Sequence, residues 1–81
     1  MLSEIREVIR EHARLPVDPD RLDPHDDLYQ AGMTSHAGVN VMLALEERFD
    51  IEFPDRLLTR AAFSTMANIE LSVSELRGVR S

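Results

Sequence analysis

Apolar residues Leu2, Ile5, Val8, Ile9 and Ala13 recur at helical spacing with charged residues between them, which predicts a first amphipathic helix. Ser3 is its expected N-cap, and Glu4 suits the positive end of the helix dipole. Glu7 with Arg10 and Glu11 with Arg14 are spaced to pair along its exposed side. Pro16, Pro19 and Pro24 then forbid a continuous helix. The connection over 15–34 is long for a compact domain, and Val17, Leu22, Leu28 and Met33 read as anchors pinning it across the other helices.

A second helix is predicted over 35–49, with a core stripe of Val41, Met42, Leu45 and Phe49 and with Gly38 on the same side. Val39 and Leu43 widen the apolar arc toward the face holding His36, Asn40 and Glu47. They either flank the core or form an exposed strip for a partner. Pro54 pushes Phe53 out of helical geometry and can start a short helical turn through Leu57 and Leu58. A last helix begins near Ser64 or Thr65, packs Met66, Ile69, Val73 and Leu76, and stops at Gly78. Phe63 is a hydrophobic staple before its cap. The pattern predicts an all-α, single-domain chain over 1–81: three main helices plus one short one, with a long first loop.

Composition narrows the function classes. With no cysteine in 81 residues, neither disulfides nor a thiolate metal site is available. The formal net charge of −6 argues against a nucleic-acid partner, whose phosphates need a basic face. All nine basic residues are arginine, which excludes a lysine nucleophile. No apolar run approaches the roughly 20 residues of a membrane span, and no signal-peptide pattern opens the chain, so a soluble, cytoplasmic monomer is expected.

Asp18, Asp20, Asp23, Asp26 and Asp27 suggest a calcium loop. However, Leu22 stands where an oxygen ligand is needed and Asp23 where the turn glycine belongs, so these are turn and cap residues. His12, His25 and His36 lack metal-ligand spacing. Ser35 and His36 are sequence neighbours, which on a helix do not face each other, and no later histidine could serve as a base. The pair Glu46-Glu47 reads as a solvated helix face. No catalytic site and no metal site are expected.

Ser35 remains, at a loop-to-helix junction. Either Ser35 or Thr34 makes a good N-cap, which alone accounts for a hydroxyl there. The same position would also suit a phosphate ester, because free N–H groups and the positive dipole end favour an anion by about 0.3–1 kcal/mol. Periodicity and composition leave both readings open.

From Asp27 to Asp55 the chain resembles an acyl carrier protein. The family pattern of an apolar residue, a glycine, an apolar residue and a serine is met by Leu28, Gly32, Met33 and Ser35. Leu43-Ala44-Leu45-Glu46-Glu47-Arg48-Phe49 and Phe53-Pro54-Asp55 follow at the family's spacing, and Thr65-Met66-Ala67-Asn68-Ile69 fits its last helix. The resemblance implies the family's four-helix bundle and a 4′-phosphopantetheine, derived from coenzyme A, attached to Ser35. It also implies a phosphopantetheinyl transferase as partner. The family's acid before the serine is Thr34 here, the leucine after it is His36, and two later acidic positions are Ala37 and Asn40. Those acids dock the basic faces of fatty-acid enzymes, so contacts on this helix should be less electrostatic than usual.

Within the family, the stretches around Leu28-Tyr29, Ala31-Gly32-Met33 and Phe49 to Phe63 are most similar to small bacterial aminoacyl carrier proteins. Those are charged with glycine or alanine by seryl-tRNA-synthetase-like amino acid:carrier protein ligases. The resemblance thus implies a non-catalytic carrier holding an amino acid or acyl group as a thioester, with Thr34, His36, Val39, Asn40, Leu43 and Glu47 as the partner surface. A specialised acyl carrier for lipid or secondary-metabolite synthesis is the alternative within the class. An unmodified helical interaction domain is the alternative outside it.

Overall fold

Ile5, Val8 and Ile9 lie on one side of α1 (Leu2–His12), and burying that stripe is what makes this short helix stable. The computed structural model describes the backbone over residues 1–80 and the side chains over 1–78. Among the described residues the regular elements are α1, α2 (Ser35–Phe49), α3 (Met66–Arg80) and three short 3-10 turns, with no strand. The expected short helix after Pro54 is the 3-10 turn Asp55–Leu57, and further turns lie at Pro19–Arg21 and Ala61–Phe63.

Helix α1 packs against both α2 and α3. Ile5, Ile9, Leu28, Val41, Leu45, Met66, Ile69 and Val73 are fully enclosed between them. Each such side chain contributes about 1.5–3 kcal/mol of burial. The predicted stripes of α1 and α3 are in this core, including Leu76, except that Leu2 is only partly buried against it, and Phe63 is buried with its ring centroid 5.1 Å from that of Phe53. In α2 the stripe is shifted: Ala37, Gly38, Val41, Leu45 and Phe49 face inward, and Met42 is only partly buried.

Several local expectations are corrected. The amides of Glu4 and Ile5 donate to the Met1 carbonyl, so Met1 occupies the cap position and Ser3 lies inside the first turn. Arg10 pairs with Asp20 rather than Glu7, and Glu7 pairs with Arg48, because the first loop and α2 bring those charges onto the face of α1. Arg14 makes no ion pair with Glu11. Its left-handed backbone, φ 55°, turns the chain out of α1 before Pro16 is reached. Gly78 does not end α3. A glycine stop works by adopting positive φ, which Gly78 does not, and the helix continues to Arg80.

The long loop is tied down at a few points. Leu28 and Met33 are buried and Leu22 packs on the core, as expected of anchors, whereas Val17 is 44% exposed. The Leu28 amide donates to the Ser64 carbonyl at 2.7 Å, and the Ala67 amide to the Pro24 carbonyl at 3.0 Å, stitching the loop to the start of α3. Arg6 reaches across from α1 to donate to the carbonyls of Pro19 and Leu22. Asp18, Asp23 and Asp27 accept from backbone amides two or three residues onward, which is the turn role expected of them.

Gly32 sits where the loop turns into α2, with φ 122° and its α-carbon against Pro16. A β-carbon added there would lie 2.7 Å from the proline ring. Gly32→Ala therefore meets both backbone strain and a rigid ring, and should lose about 1–3 kcal/mol of unfolding free energy in a urea titration. A loss below about 0.5 kcal/mol would show that this turn does not constrain the junction.

Candidate functional site

The residue that caps α2 is Thr34. Its backbone is extended, and its Oγ accepts the Ala37 amide at 3.0 Å, while the Gly38 amide closes the first helical bond on the Thr34 carbonyl at 2.9 Å. Ser35 is thus the first helical residue. It is solvent-exposed, and its hydroxyl has no hydrogen-bond partner among the described residues. Thr34 is the cap, and the Ser35 hydroxyl is left uncommitted. With the cap filled, the Ser35 Oγ stands at the positive end of a 15-residue helix dipole, whose first turn holds no acidic side chain.

Ser35, Val39 and Leu43 follow one another at i, i+4 and i+8, so they form a ridge along the outward side of α2. Val39 and Leu43 are each 52% exposed. Both side chains are thus well exposed to solvent rather than enclosed at the edge of the core.

The predicted partner residues divide between two sides of this ridge. Asn40, Leu43 and Glu47 line a broad depression of about 640 Å3 against α1, with Val8, Glu11, His12 and Arg48. Thr34 and His36 border a smaller hollow with Ala13, Arg14 and Gly32, and Ala37 forms part of its floor. Ala37 is itself buried, so an acid at that position would face the bundle rather than a partner. Val39 and Ser35 instead line a groove of about 360 Å3 on the opposite side, completed by Tyr29, Met42, Leu58, Arg60 and Phe63.

That groove brings together what spacing alone does not. Met42, which spacing places in the core, is only partly buried, Leu58 reads only as part of a short turn, and Tyr29 and Arg60 are marked in the sequence only by the family resemblance. The Arg60 guanidinium lies over the Tyr29 ring, 4.0 Å from its centroid. The wall is largely apolar, and Ser35 and Arg60 are its notable polar members beside Thr59. The depth comes from Gly38, which lacks a side chain at the point nearest the Tyr29 hydroxyl.

These residues fit a tethered phosphopantetheine on chemical grounds. An uncommitted hydroxyl is exposed at a helix N-terminus, next to a groove that is apolar along its length and cationic at one point. No group of three or more potential metal-ligating side chains occurs among the described residues. No helix among them is long and apolar enough to cross a membrane.

The difference between the capping threonine and the uncommitted serine predicts unequal effects on stability. Thr34→Val should lose about 1 kcal/mol through the missing cap, whereas Ser35→Ala should stay within about 0.5 kcal/mol of wild type. Denaturant titrations compare the two directly. A larger loss at Ser35 than at Thr34 would reverse the assignment.

The chain matches the family described as phosphopantetheine attachment site over residues 3–70. It is 45% identical over 73 residues to an aminoacyl carrier protein of Agrobacterium fabrum, covering 90% of this chain and 88% of that one. Among solved structures it matches, with a TM-score of 0.89 and 44% identity over 91% of this chain and 99% of the other, a chain in a crystal structure from Agrobacterium tumefaciens and Bradyrhizobium japonicum. That structure is of an engineered B. japonicum glycine:[carrier protein] ligase complexed with the A. tumefaciens carrier protein and AMP. A solution structure of an A. tumefaciens protein matches with a TM-score of 0.79 and 41% identity, over 99% of this chain and 96% of that one. The chain therefore belongs to the phosphopantetheine-attachment family of carrier proteins, whose members bear a covalent 4′-phosphopantetheine.

Proposed function

We propose that this protein is an aminoacyl carrier in which Ser35 bears the 4′-phosphopantetheine and a small amino acid, glycine or alanine, is the cargo. The observation that carries the assignment to Ser35 is its exposed, uncommitted hydroxyl, left free because Thr34 caps α2. When bound, the group supplies a terminal thiol that can hold a carboxylic acid as a thioester, chemistry that a chain without cysteine cannot supply itself. The chain's own residues present, orient and shield. The capped N-terminus of α2 fixes the attachment atom, the Tyr29–Met42 groove offers an apolar wall, and the Val39–Leu43 ridge offers contact area to an enzyme.

The kinship with the Agrobacterium carrier, seen in complex with a glycine:[carrier protein] ligase, favours an amino acid:carrier protein ligase as the loading partner. It would dock on Val39 and Leu43, with Thr34, His36, Asn40 and Glu47 around them, and a phosphopantetheinyl transferase would act on the same surface. The first turn of α2 lacks acids, so this docking depends on apolar contact more than on charge. The protein performs no catalysis itself and works as a single carrier domain, a monomer in the cytoplasm.

Incubation with coenzyme A and a phosphopantetheinyl transferase, followed by intact-mass measurement, should add one phosphopantetheine to wild type and to Thr34→Val, and none to Ser35→Ala. The product should then gain one glycine or alanine in the presence of a glycine:[carrier protein] ligase and ATP. No addition to folded wild type with several transferases would sink the carrier assignment, and addition without aminoacylation would sink the aminoacyl assignment. Exchange of Val39 and Leu43 for serine should lower the loading rate at least tenfold without unfolding the protein, because both side chains are already half exposed.

A further inference from the structure

Four of the nine arginines have a guanidinium committed to oxygen acceptors of the protein. Arg6 serves two loop carbonyls, Arg10 pairs with Asp20, Arg48 with Glu4 and Glu7, and Arg56 with Glu75. Arg60 is different. It is held by the face of the Tyr29 ring and has no carboxylate or carbonyl partner for its side chain among the described residues. A guanidinium stacked on its face keeps its N–H edges available, and those edges form the planar fork that suits phosphate oxygens.

Placement makes this significant. Arg60, Tyr29 and Ser35 line the same groove, and the other walls around them are mainly apolar, so the groove offers the guanidinium few competing acceptors. A phosphodiester on Ser35 would bring a negative charge to this groove in a chain whose formal net charge is already −6. An uncompensated arginine at that point is the complementary charge. The ring beneath it restricts its rotamers, so less side-chain freedom remains to be lost on contact.

We propose that Arg60, braced on Tyr29, holds the phosphodiester of the phosphopantetheine on Ser35 and so sets the direction in which the arm leaves α2. The proposal rests on the carrier reading and adds to it a phosphate contact from outside the helix that bears the attachment residue. Tyr29 is a positioning residue here, because it acts through Arg60.

NMR of the isotope-labelled protein before and after modification tests it. In wild type, conversion to the phosphopantetheinylated form should shift the Arg60 Nε–H resonance and the Tyr29 ring protons. The phosphorus resonance should differ between folded and urea-unfolded protein. Arg60→Gln should reduce that folded-minus-unfolded difference by more than half. Arg56→Gln, which removes an arginine engaged with Glu75, should leave it unchanged. An Arg60 Nε–H that ignores the modification, or equal effects from the two variants, would overturn the proposal. The apo–holo comparison needs only wild type, so it decides even where Arg60→Gln folds poorly. Absence of any modified protein by intact mass overturns the carrier reading and this proposal together, whereas modified protein with an indifferent Arg60 overturns this proposal alone.

Discussion

The hydrogen bond from the Ala37 amide to Thr34 Oγ determines what the next hydroxyl in the chain is free to do. A helix start presents unsatisfied amides, and a serine in the cap position spends its oxygen on one of them. Here the threonine takes that duty, and the serine begins the helix with its side chain in solvent. The capping residue itself is held by the turn before it. Gly32 passes Pro16 at a distance only a glycine permits, and the Met33 amide closes back onto the Leu28 carbonyl. Leu28, fully buried, anchors this turn to the core and to Ser64 at the start of α3. Burial in the core thus fixes a loop, the loop fixes a cap, and the cap releases a hydroxyl.

The surface around Ser35 follows from how α2 is rolled against its neighbours. Ala37, Gly38, Val41, Leu45 and Phe49 face inward, so the opposite side carries Ser35, Val39 and Leu43 in line. One flank of that ridge meets α1, where charged residues including Glu11, Glu47 and Arg48 gather. The other meets the Leu58–Phe63 segment, where the wall is apolar and Arg60 is its cation. The two flanks differ in character, with several charged side chains toward α1 and a mainly apolar wall toward the 58–63 segment.

Much of this was legible in the chain. The stripes of α1 and α3 are simple periodic patterns, and burial of Ile5, Ile9, Ile69 and Val73 follows them. Val39 and Leu43 were legible as a widening of the apolar arc, which spacing alone leaves open between the edge of the core and an exposed strip. Features decided by tertiary contact were not legible. Arg10 choosing Asp20 over Glu7 depends on where the first loop lies, and Met42 tilts partly out of the core because the roll of α2 is set by packing against α1. The pairing of Tyr29 with Arg60 joins residues on separate segments, and no spacing rule signals it. Thr34 and Ser35 were equivalent as caps by residue type, and only the backbone geometry separates them.

Fragmentation mass spectrometry of the phosphopantetheinylated wild-type protein tests the central claim most directly, because it locates the attachment atom to a single residue. Fragment ions that split Thr34 from Ser35 should place the added mass wholly on Ser35. Added mass on Thr34, or on any other hydroxyl of the chain, would contradict the division of labour between the residue that caps α2 and the residue that carries the arm.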